Sequence, residues 1–411
     1  MQEAKKQGGR PVGGMDDALT DDLVEEVLLR LPPADPACLI RAAVVCRRWR
    51  RLISDQAFRR RFLELYPRPP TLGFLHLHHR HGVYGTHFLP ASSFRPPHAD
   101  VVPAHWIAVD ARHGRVLFED ASTDSWPADM VTQFVVSSPM TGDVRTLPAL
   151  RTPMQLFTGY ESAAVLCAAA ACGCHHLDCH RGPFTVVFVH TSPSNDHTVA
   201  CVYSSETDTW RTAASIHHPI GRVVLSARTA AFAGKALYFL FFLDSDCTCR
   251  LLEYDLGKEE LSLIDVPREA APCHLLLVEK GSRLVIAIAE HSKVCVWSME
   301  TSSHRHQNNH GRAWAQNRVI ERESLPRAAV AATSSTNLLF APHVLAIVDD
   351  IYSNLPHILN LDIKSGLVTE SRETHITYSC AIPYTSFYFP SVGTSLMDRG
   401  SEGLREGAPS A

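Results

Sequence analysis

The sequence has no long apolar run and no strong excess of charge of one sign. Its 411 residues include 39 Lys and Arg against 43 Asp and Glu, which leaves a net charge of −4 with histidine neutral. A chain with this balance is not, as a whole, an electrostatic binder of nucleic acid. The run Ala236–Leu243, ALYFLFFL, has the length of a strand, and no run approaches the roughly 18 residues of a membrane span. We therefore expect neither a nucleic-acid nor a membrane partner.

Targeting and enzyme motifs are also missing. The first residues, MQEAKKQGGRPVGGMDD, lack the apolar core of a secretory signal, and no Asn-x-Ser/Thr sequon occurs. The 12 cysteines are then most simply reduced thiols. We expect an intracellular protein of the cytoplasm, the nucleus or both, not a secreted one. There is no Gly-x-Ser-x-Gly, P-loop, dinucleotide-binding or His-Glu-x-x-His motif, so we assign no catalytic residue, no cofactor and no enzymatic activity.

Residues 18–66 have the pattern of short amphipathic helices. Thr20 is placed to cap the first helix and Pro32 to end it, and Asp35 followed by Pro36 predicts the start of a second. In the first helix apolar residues recur every three or four positions: Leu23, Val24, Val27, Leu28 and Leu31. Further on, another apolar set shares one helical face, with arginines on its flanks: Cys46, Trp49, Leu52 and Ile53. Helices this short cannot bury all these faces, so we expect another domain or another protein to cover part of them.

The stretch from Leu19 to Asp55, LTDDLVEEVLLRLPPADPACLIRAAVVCRRWRRLISD, resembles the F-box, the helical module that docks on the Skp adaptor of cullin-RING ubiquitin ligases. It departs from the usual pattern at Thr20, where the F-box commonly has proline. The resemblance implies a Skp-type adaptor as partner, with cullin reached through it. It also implies an adaptor-binding face made of Leu19, Leu23, Val27, Leu28, Leu31, Pro32, Leu39, Val45, Cys46, Trp49, Leu52 and Ile53.

Two other interpretations of these helices remain open. The apolar residues could form only the core of a small bundle. A DNA-binding helix-turn-helix would place polar, base-reading side chains beside the arginines, whereas the face of Cys46, Trp49 and Ile53 is apolar.

From about Thr71 onward, short β-rich runs alternate with turn residues. A unit of strand, polar turn and second strand recurs, as in Trp106–Asp120, Phe134–Pro148 and Arg250–Pro267. Later copies repeat at roughly 45–65 residues, a period at which units of antiparallel strands close most readily into a β-propeller. An open sandwich is the alternative.

The expected architecture is therefore an α+β multidomain chain. A disordered leader (1–17) precedes the all-α helical domain (18–66). An all-β, propeller-like domain of about six irregular blades follows (71–397), and the chain ends in a disordered tail (398–411). This combination resembles the F-box proteins of plants, particularly grasses, that carry a degenerate propeller as an F-box-associated domain.

The resemblance implies the substrate-recognition subunit of an SCF-type (Skp-cullin-F-box) ubiquitin ligase, whose β-domain binds an unidentified target protein. One alternative is a protein-interaction scaffold outside the ubiquitin pathway, with the helices as a structural cap. Another is a zinc-binding protein that uses the loop CGCHHLDCH, Cys172–His180. Its candidate ligands are Cys172, Cys174, Cys179 and His180, although zinc sites usually combine two separated ligand pairs.

Overall fold

The structure, a computed structural model, divides the chain into two compact units. One comprises residues 1–70 and 387–411, and the other Thr71–Ser386. The described residues are 19–67, 69–80, 83–121, 131–151, 161–169, 179–192, 194, 196–223, 230–243, 248–267, 276–279, 283–289, 293–301, 312–321, 337–341, 344–348, 357–362, 368–372 and 381–389.

The first unit contains four helices: α1 Asp21–Leu29, α2 Ala37–Val45, α3 Arg47–Ser54 and α4 Gln56–Leu65. Side chains near the helix starts accept hydrogen bonds from free backbone N–H groups of the first turns. Thr20 accepts from the amide of Leu23 at 3.4 Å, and Asp35 accepts from that of Ala37 at 3.3 Å. At α4 Asp55 accepts from the amide of Ala57 at 2.6 Å. The expected cap at Thr20 is thus confirmed, whereas Pro36 occupies the N-cap position of α2 and Asp35 bonds to its first amide from one residue earlier.

One face of each helix packs inward. The buried apolar side chains of the four helices are Val24, Leu28, Leu29, Leu39, Ala42, Ala43, Ile53, Phe58 and Phe62. Their spacing of three, four or seven residues within a helix matches the 3.6-residue period of an α-helix.

Two aromatic residues from the second segment of this unit, which begins at Phe387, complete the core. Phe389 meets the ring of Phe62 edge to face, with centroids 5.3 Å apart, and Phe387 does so at 6.4 Å. The guanidinium of Arg59 lies 5.4 Å from the Phe389 centroid, a cation–π distance. The expected cover for the helical faces is therefore supplied in part by the same chain. The sequence predicted a β-domain that continued to residue 397, whereas the second unit ends at Ser386.

The arginines around Trp49 bind the ends of neighbouring helices. Arg51 forms an ion pair with Asp21 at 3.0 Å, and Arg48 pairs with the other oxygen of the same carboxylate. Arg48 also donates to the carbonyl of Leu19 at 2.6 Å. Arg50 donates to the carbonyl of Ala43 at 3.3 Å, within the last turn of α2. These contacts attach α1 and α2 to α3.

The second unit is built from short antiparallel strands. In chain order the described strands are β1 Thr71–Arg80, β2 Val83–Pro90, β3 Trp106–Arg112, β4 Arg115–Asp120, β5 Val131–Thr132, β6 Phe134–Ser137, β7 Val144–Thr146, β8 Leu150–Arg151, β9 Glu161–Cys167, β10 Phe184–Thr191, β11 His197–Ser204, β12 Thr209–His217, β13 Gly221–Val223, β14 Ala231–Ala233, β15 Ala236–Leu243, β16 Thr248–Asp255, β17 Glu260–Asp265, β18 Leu276–Glu279, β19 Arg283–Ala289, β20 Lys293–Thr301, β21 Arg312–Glu321, β22 Asn337–Ala341, β23 Val344–Val348, β24 His357–Asp362, β25 Val368–Arg372 and β26 Ala381–Thr385.

These strands form a β-propeller. Among the described residues there are five blades of four or five strands: β3-β4-β6-β7, β9–β12, β13–β17, β18–β21 and β22–β25. A three-stranded closing sheet, β2-β1-β26, joins the first strands of the unit to its last. Contacts of β26 with both β22 and β3 complete the ring. The expectation of about six blades is close to this count, and the closing sheet explains the difference.

Apolar layers fill the space between neighbouring blades. The layer between the first two includes Leu117, Phe134 and Phe188, and the next one includes Val187 and Phe239. The structure contains the recurrent hairpins that the sequence predicted. Phe134–Pro148 contains β6 and β7, and Arg250–Pro267 contains β16 and β17.

Polar contacts between blades also repeat. The indole N–H of Trp210 on β12 donates to the carbonyl of Pro148, after β7 of the preceding blade, at 2.8 Å. Trp314 on β21 donates to the carbonyl of Asp265, at the end of β17, at 2.8 Å. These two tryptophans therefore make the same contact two blades apart.

Ion pairs follow a similar rule. Arg145 on β7 pairs with Asp208 at 3.0 Å, and Arg211 on β12 pairs with Glu259. Both acidic partners have positive φ, +55° for Asp208 and +56° for Glu259, and each lies in the outer hairpin turn of the next blade. Arg211 is thus the equivalent of Arg145 one blade further on.

Among the helices that the structure describes, none combines the length and apolar character needed to span a bilayer.

We expect Phe387→Ala to lower the free energy of unfolding of the helical unit by about 3 kcal/mol, because it removes a buried ring from the core. Hydrogen exchange of the α4 amides in increasing urea measures this unit separately from the β-domain. Leu65→Ala on α4 is the matched control, since Leu65 is exposed, and it should cost less than about 0.5 kcal/mol. Equal effects of the two variants would contradict the role of Phe387 in this core.

Acid should loosen the start of α1. The hydrogen bond from Arg48 lowers the pKa of Asp21 below its usual value. A carboxylate with a lowered folded pKa stabilises the fold above the pKa of the unfolded chain, about 3.9, and this stabilisation is lost as the pH falls through the folded pKa.

Asp21→Asn should therefore speed hydrogen exchange of the α1 amides relative to wild type at pH 7, and the difference should shrink below about pH 4. Asp22→Asn, which removes an exposed carboxylate from the same turn, should have a smaller effect. A difference between wild type and Asp21→Asn that does not change with pH would refute this assignment.

Candidate functional site

The first unit exposes a cluster of large apolar side chains. We use the term exposed apolar surface for Leu19, Leu23, Val27, Val44 and Val45, whose exposed fractions are 49%, 52%, 53%, 67% and 63%. Single exposed apolar residues are ordinary in proteins. Five on or next to two consecutive helices of one small unit make this surface the candidate binding site.

The outward direction of these residues follows from helical geometry. On α1, Val24 and Leu28 point into the core, so Leu23 and Val27, each one position earlier, lie on a neighbouring face. Leu19 continues the four-residue spacing beyond the start of the helix. On α2 the core takes Leu39, Ala42 and Ala43, which leaves Val44 and Val45 outside.

The junction of α2 and α3 holds the two parts of this surface near each other. Cys46 has an extended backbone, and its Sγ accepts from the amide of Trp49 at 3.4 Å, so it caps α3. Two residues later, Arg48 reaches the carbonyl of Leu19 at 2.6 Å. The side chain of Arg48 therefore links Leu19, before α1, to the junction of α2 and α3, where Val45 and Cys46 lie.

The predicted adaptor-binding residues fall into three groups. The exposed ones are Leu19, Leu23, Val27, Pro32, Val45 and Cys46. The partly exposed ones are Leu31, Trp49 and Leu52. The buried ones are Leu28, Leu39 and Ile53.

The burial of this last group corrects the sequence-based assignment. Leu28, Leu39 and Ile53 belong to the core of the helical unit, and Cys46 is the cap of α3 where a continuous helical face was expected. An apolar residue at helical spacing can serve the core or a partner, and the period alone does not separate these roles. The three buried residues can only position the exposed ones.

Sequence reasoning missed Val44, the most exposed member of the surface. The sequence pattern did contain this information. Leu39, Ala42 and Ala43 lie on one face of α2, and position 44 falls outside that face.

The proposed zinc loop lies mostly outside the described residues, including Cys172 and Cys174. Cys179 and His180 belong to a short 3-10 turn, Cys179–Arg181. The thiol of Cys179 donates to the carbonyl of His113 at 3.9 Å. Within the described ranges, no group of three or more His, Cys, Asp or Glu side chains is arranged to hold a metal.

Comparison with known proteins finds distant structural neighbours. No curated protein matches the sequence. TolB from Acinetobacter baumannii has a TM-score of 0.40 at 10% identity, and the match covers 77% of this chain and 68% of that one. An α-L-arabinofuranosidase of Fusarium graminearum has a TM-score of 0.36 at 9% identity, over 69% of this chain and 82% of that one.

The helical unit has a clear counterpart. The family model of the F-box domain matches residues 17–61. This range contains α1, α2, α3 and the exposed apolar surface. The chain therefore carries an F-box domain at residues 17–61, followed by a β-propeller.

Proposed function

We propose that this protein is the substrate-recognition subunit of an SCF-type ubiquitin ligase, of the kind found in plants with an F-box-associated propeller. The exposed apolar surface docks a Skp-type adaptor, and the adaptor connects the chain to cullin. The β-propeller binds a target protein. The observation that carries this proposal is the exposed apolar surface within an F-box domain that is joined to a propeller in one chain.

Adaptor docking buries the apolar side chains that the fold leaves in water. Transfer of apolar area from water contributes about 25 cal/mol per Å², and a few central residues dominate such interfaces. Trp49, on α3 just after the junction with α2, is a partly exposed aromatic residue. The arginines of α3 flank it, and their positive charge favours encounter with an acidic adaptor surface.

The function is positional and needs no catalytic residue in this chain. A target held on the propeller stays near the ubiquitin-conjugating enzyme that the cullin complex recruits. This raises the effective concentration of the target lysine. Such a complex acts in the cytoplasm, the nucleus or both.

A scaffold outside the ubiquitin pathway is the second candidate. It would use the helices only as a structural cap, which does not require the exposure of Leu23, Val27 and Val45. A zinc-dependent function is the third, and metal analysis of the purified chain tests it directly.

We expect Leu23→Asp and Val45→Asp each to weaken capture of a Skp-type adaptor by about 100-fold, equivalent to about 2.7 kcal/mol. Each places a charge in an apolar interface, and both sites are exposed, so the fold should tolerate them. Trp49→Ala should have a similar effect. The measurement is the dissociation constant of the full chain for the purified adaptor.

Leu65→Asp is the matched control, because Leu65 is exposed to a similar degree but lies at the end of α4, outside the exposed apolar surface. It should leave adaptor binding unchanged. Wild-type affinity in Leu23→Asp and Val45→Asp would rule out the interface and favour the scaffold.

A further inference from the structure

A cleft opens between the first two blades of the propeller. Its volume is about 360 Å³, and it is bounded by the end of β6, the start of β7, the turn before β10 and the turn after β11. Exposed residues at its rim, among them Arg181 and Glu206, leave it open to solvent. The space is large enough for a side chain of another molecule.

Two guanidinium groups lie against one aromatic ring in this cleft. Arg115 lies 5.1 Å and Arg145 5.7 Å from the centroid of Phe184. Arg115 is buried and donates to the carbonyls of Cys179 and Gly182, so its orientation is fixed. Arg181 adds a third arginine to the lining.

The lining of the cleft holds more arginines than carboxylates. Three arginines face Asp143 and Glu206 among the lining residues, and Arg145 also forms the interblade ion pair with Asp208 at 3.0 Å. Like charges held close together repel each other, and an anion beside them removes that repulsion. Guanidinium groups bind carboxylate and phosphate oxygens through paired N–H donors.

The rim limits what can enter. Asp143 and Glu206 are exposed and would repel a second negative group. The cleft therefore fits one anionic side chain flanked by neutral or basic residues better than it fits a polyanion such as nucleic acid.

We propose that this cleft binds one anionic side chain, a carboxylate or a phosphate, of a peptide segment in the target protein. This inference rests on the proposed function, because it names the chemistry by which the propeller recognises its target. The binding groups are Arg145 and Arg181, and Arg115 and Phe184 position them and the ligand.

Capture of randomised nonapeptide libraries by the full chain tests this proposal. The three libraries differ only in their fixed central residue: phosphoserine, glutamate or serine. Wild type should retain at least one anionic library about tenfold better than the serine library, as expected for a charged pair. Retention of phosphoserine alone identifies phosphate as the ligand group, and retention of both identifies a carboxylate as sufficient.

Arg145→Gln and Arg181→Gln should each reduce this preference at least about fivefold. Arg211→Gln is the control, because it removes the equivalent interblade ion pair one blade away from the cleft, and the preference should persist. Arg181 is exposed, so its substitution remains informative if loss of Arg145 perturbs the blades.

Equal retention of the three libraries by wild type, or an unchanged preference in both cleft variants, would overturn the proposal. Adaptor binding is measured in parallel to keep the two proposals separate. Val45→Asp should lose the adaptor and keep the peptide preference, whereas Arg145→Gln should do the reverse.

Discussion

The bidentate pairing of Asp21 with Arg48 and Arg51 is the interaction on which the proposed docking surface depends. It attaches the first turn of α1 to α3, and the additional bond from Arg48 to the carbonyl of Leu19 fixes the residue before that turn. With α1 held in this position, Val24 and Leu28 reach the core while Leu23 and Val27 remain in water. The arginines around Trp49 could suggest a nucleic-acid-binding segment. In this fold they contact neighbouring helices and so position an apolar surface.

The local part of this arrangement was predictable from the sequence, and the long-range part was not. Thr20 could be recognised as a cap because helix starts favour a hydroxyl there, and strand pairs such as β6 and β7 follow from alternation of apolar runs and turns. The sequence could not show that Leu23 is exposed and Leu28 buried, since both positions fit the same helical period. The packing of Phe387 on Phe62 joins residues more than three hundred positions apart, and no local pattern indicates it.

In the propeller, too, local structure was predictable from the sequence and long-range pairing was not. Its hairpins were visible, but the closing sheet requires β26 to pair with β1 from the opposite end of the unit. The contacts of Trp210 and Trp314, and of Arg145 and Arg211, repeat between blades, although the sequence repeat does not show which residues they join. Such contacts hold neighbouring blades in register, and the cleft lies where one of these ion pairs meets the buried Arg115. In our proposal Arg145 therefore has two roles, because it holds two blades together and also binds the ligand.

Hydrogen exchange of the full chain with and without a purified Skp-type adaptor tests the central claim most directly. We expect slower exchange on adaptor binding at the amides of residues 19–27 and 44–49, which carry or adjoin the exposed apolar surface. The strands of the propeller should exchange as before. Stable binding that leaves both helical segments unprotected, or no binding at all, would contradict the account.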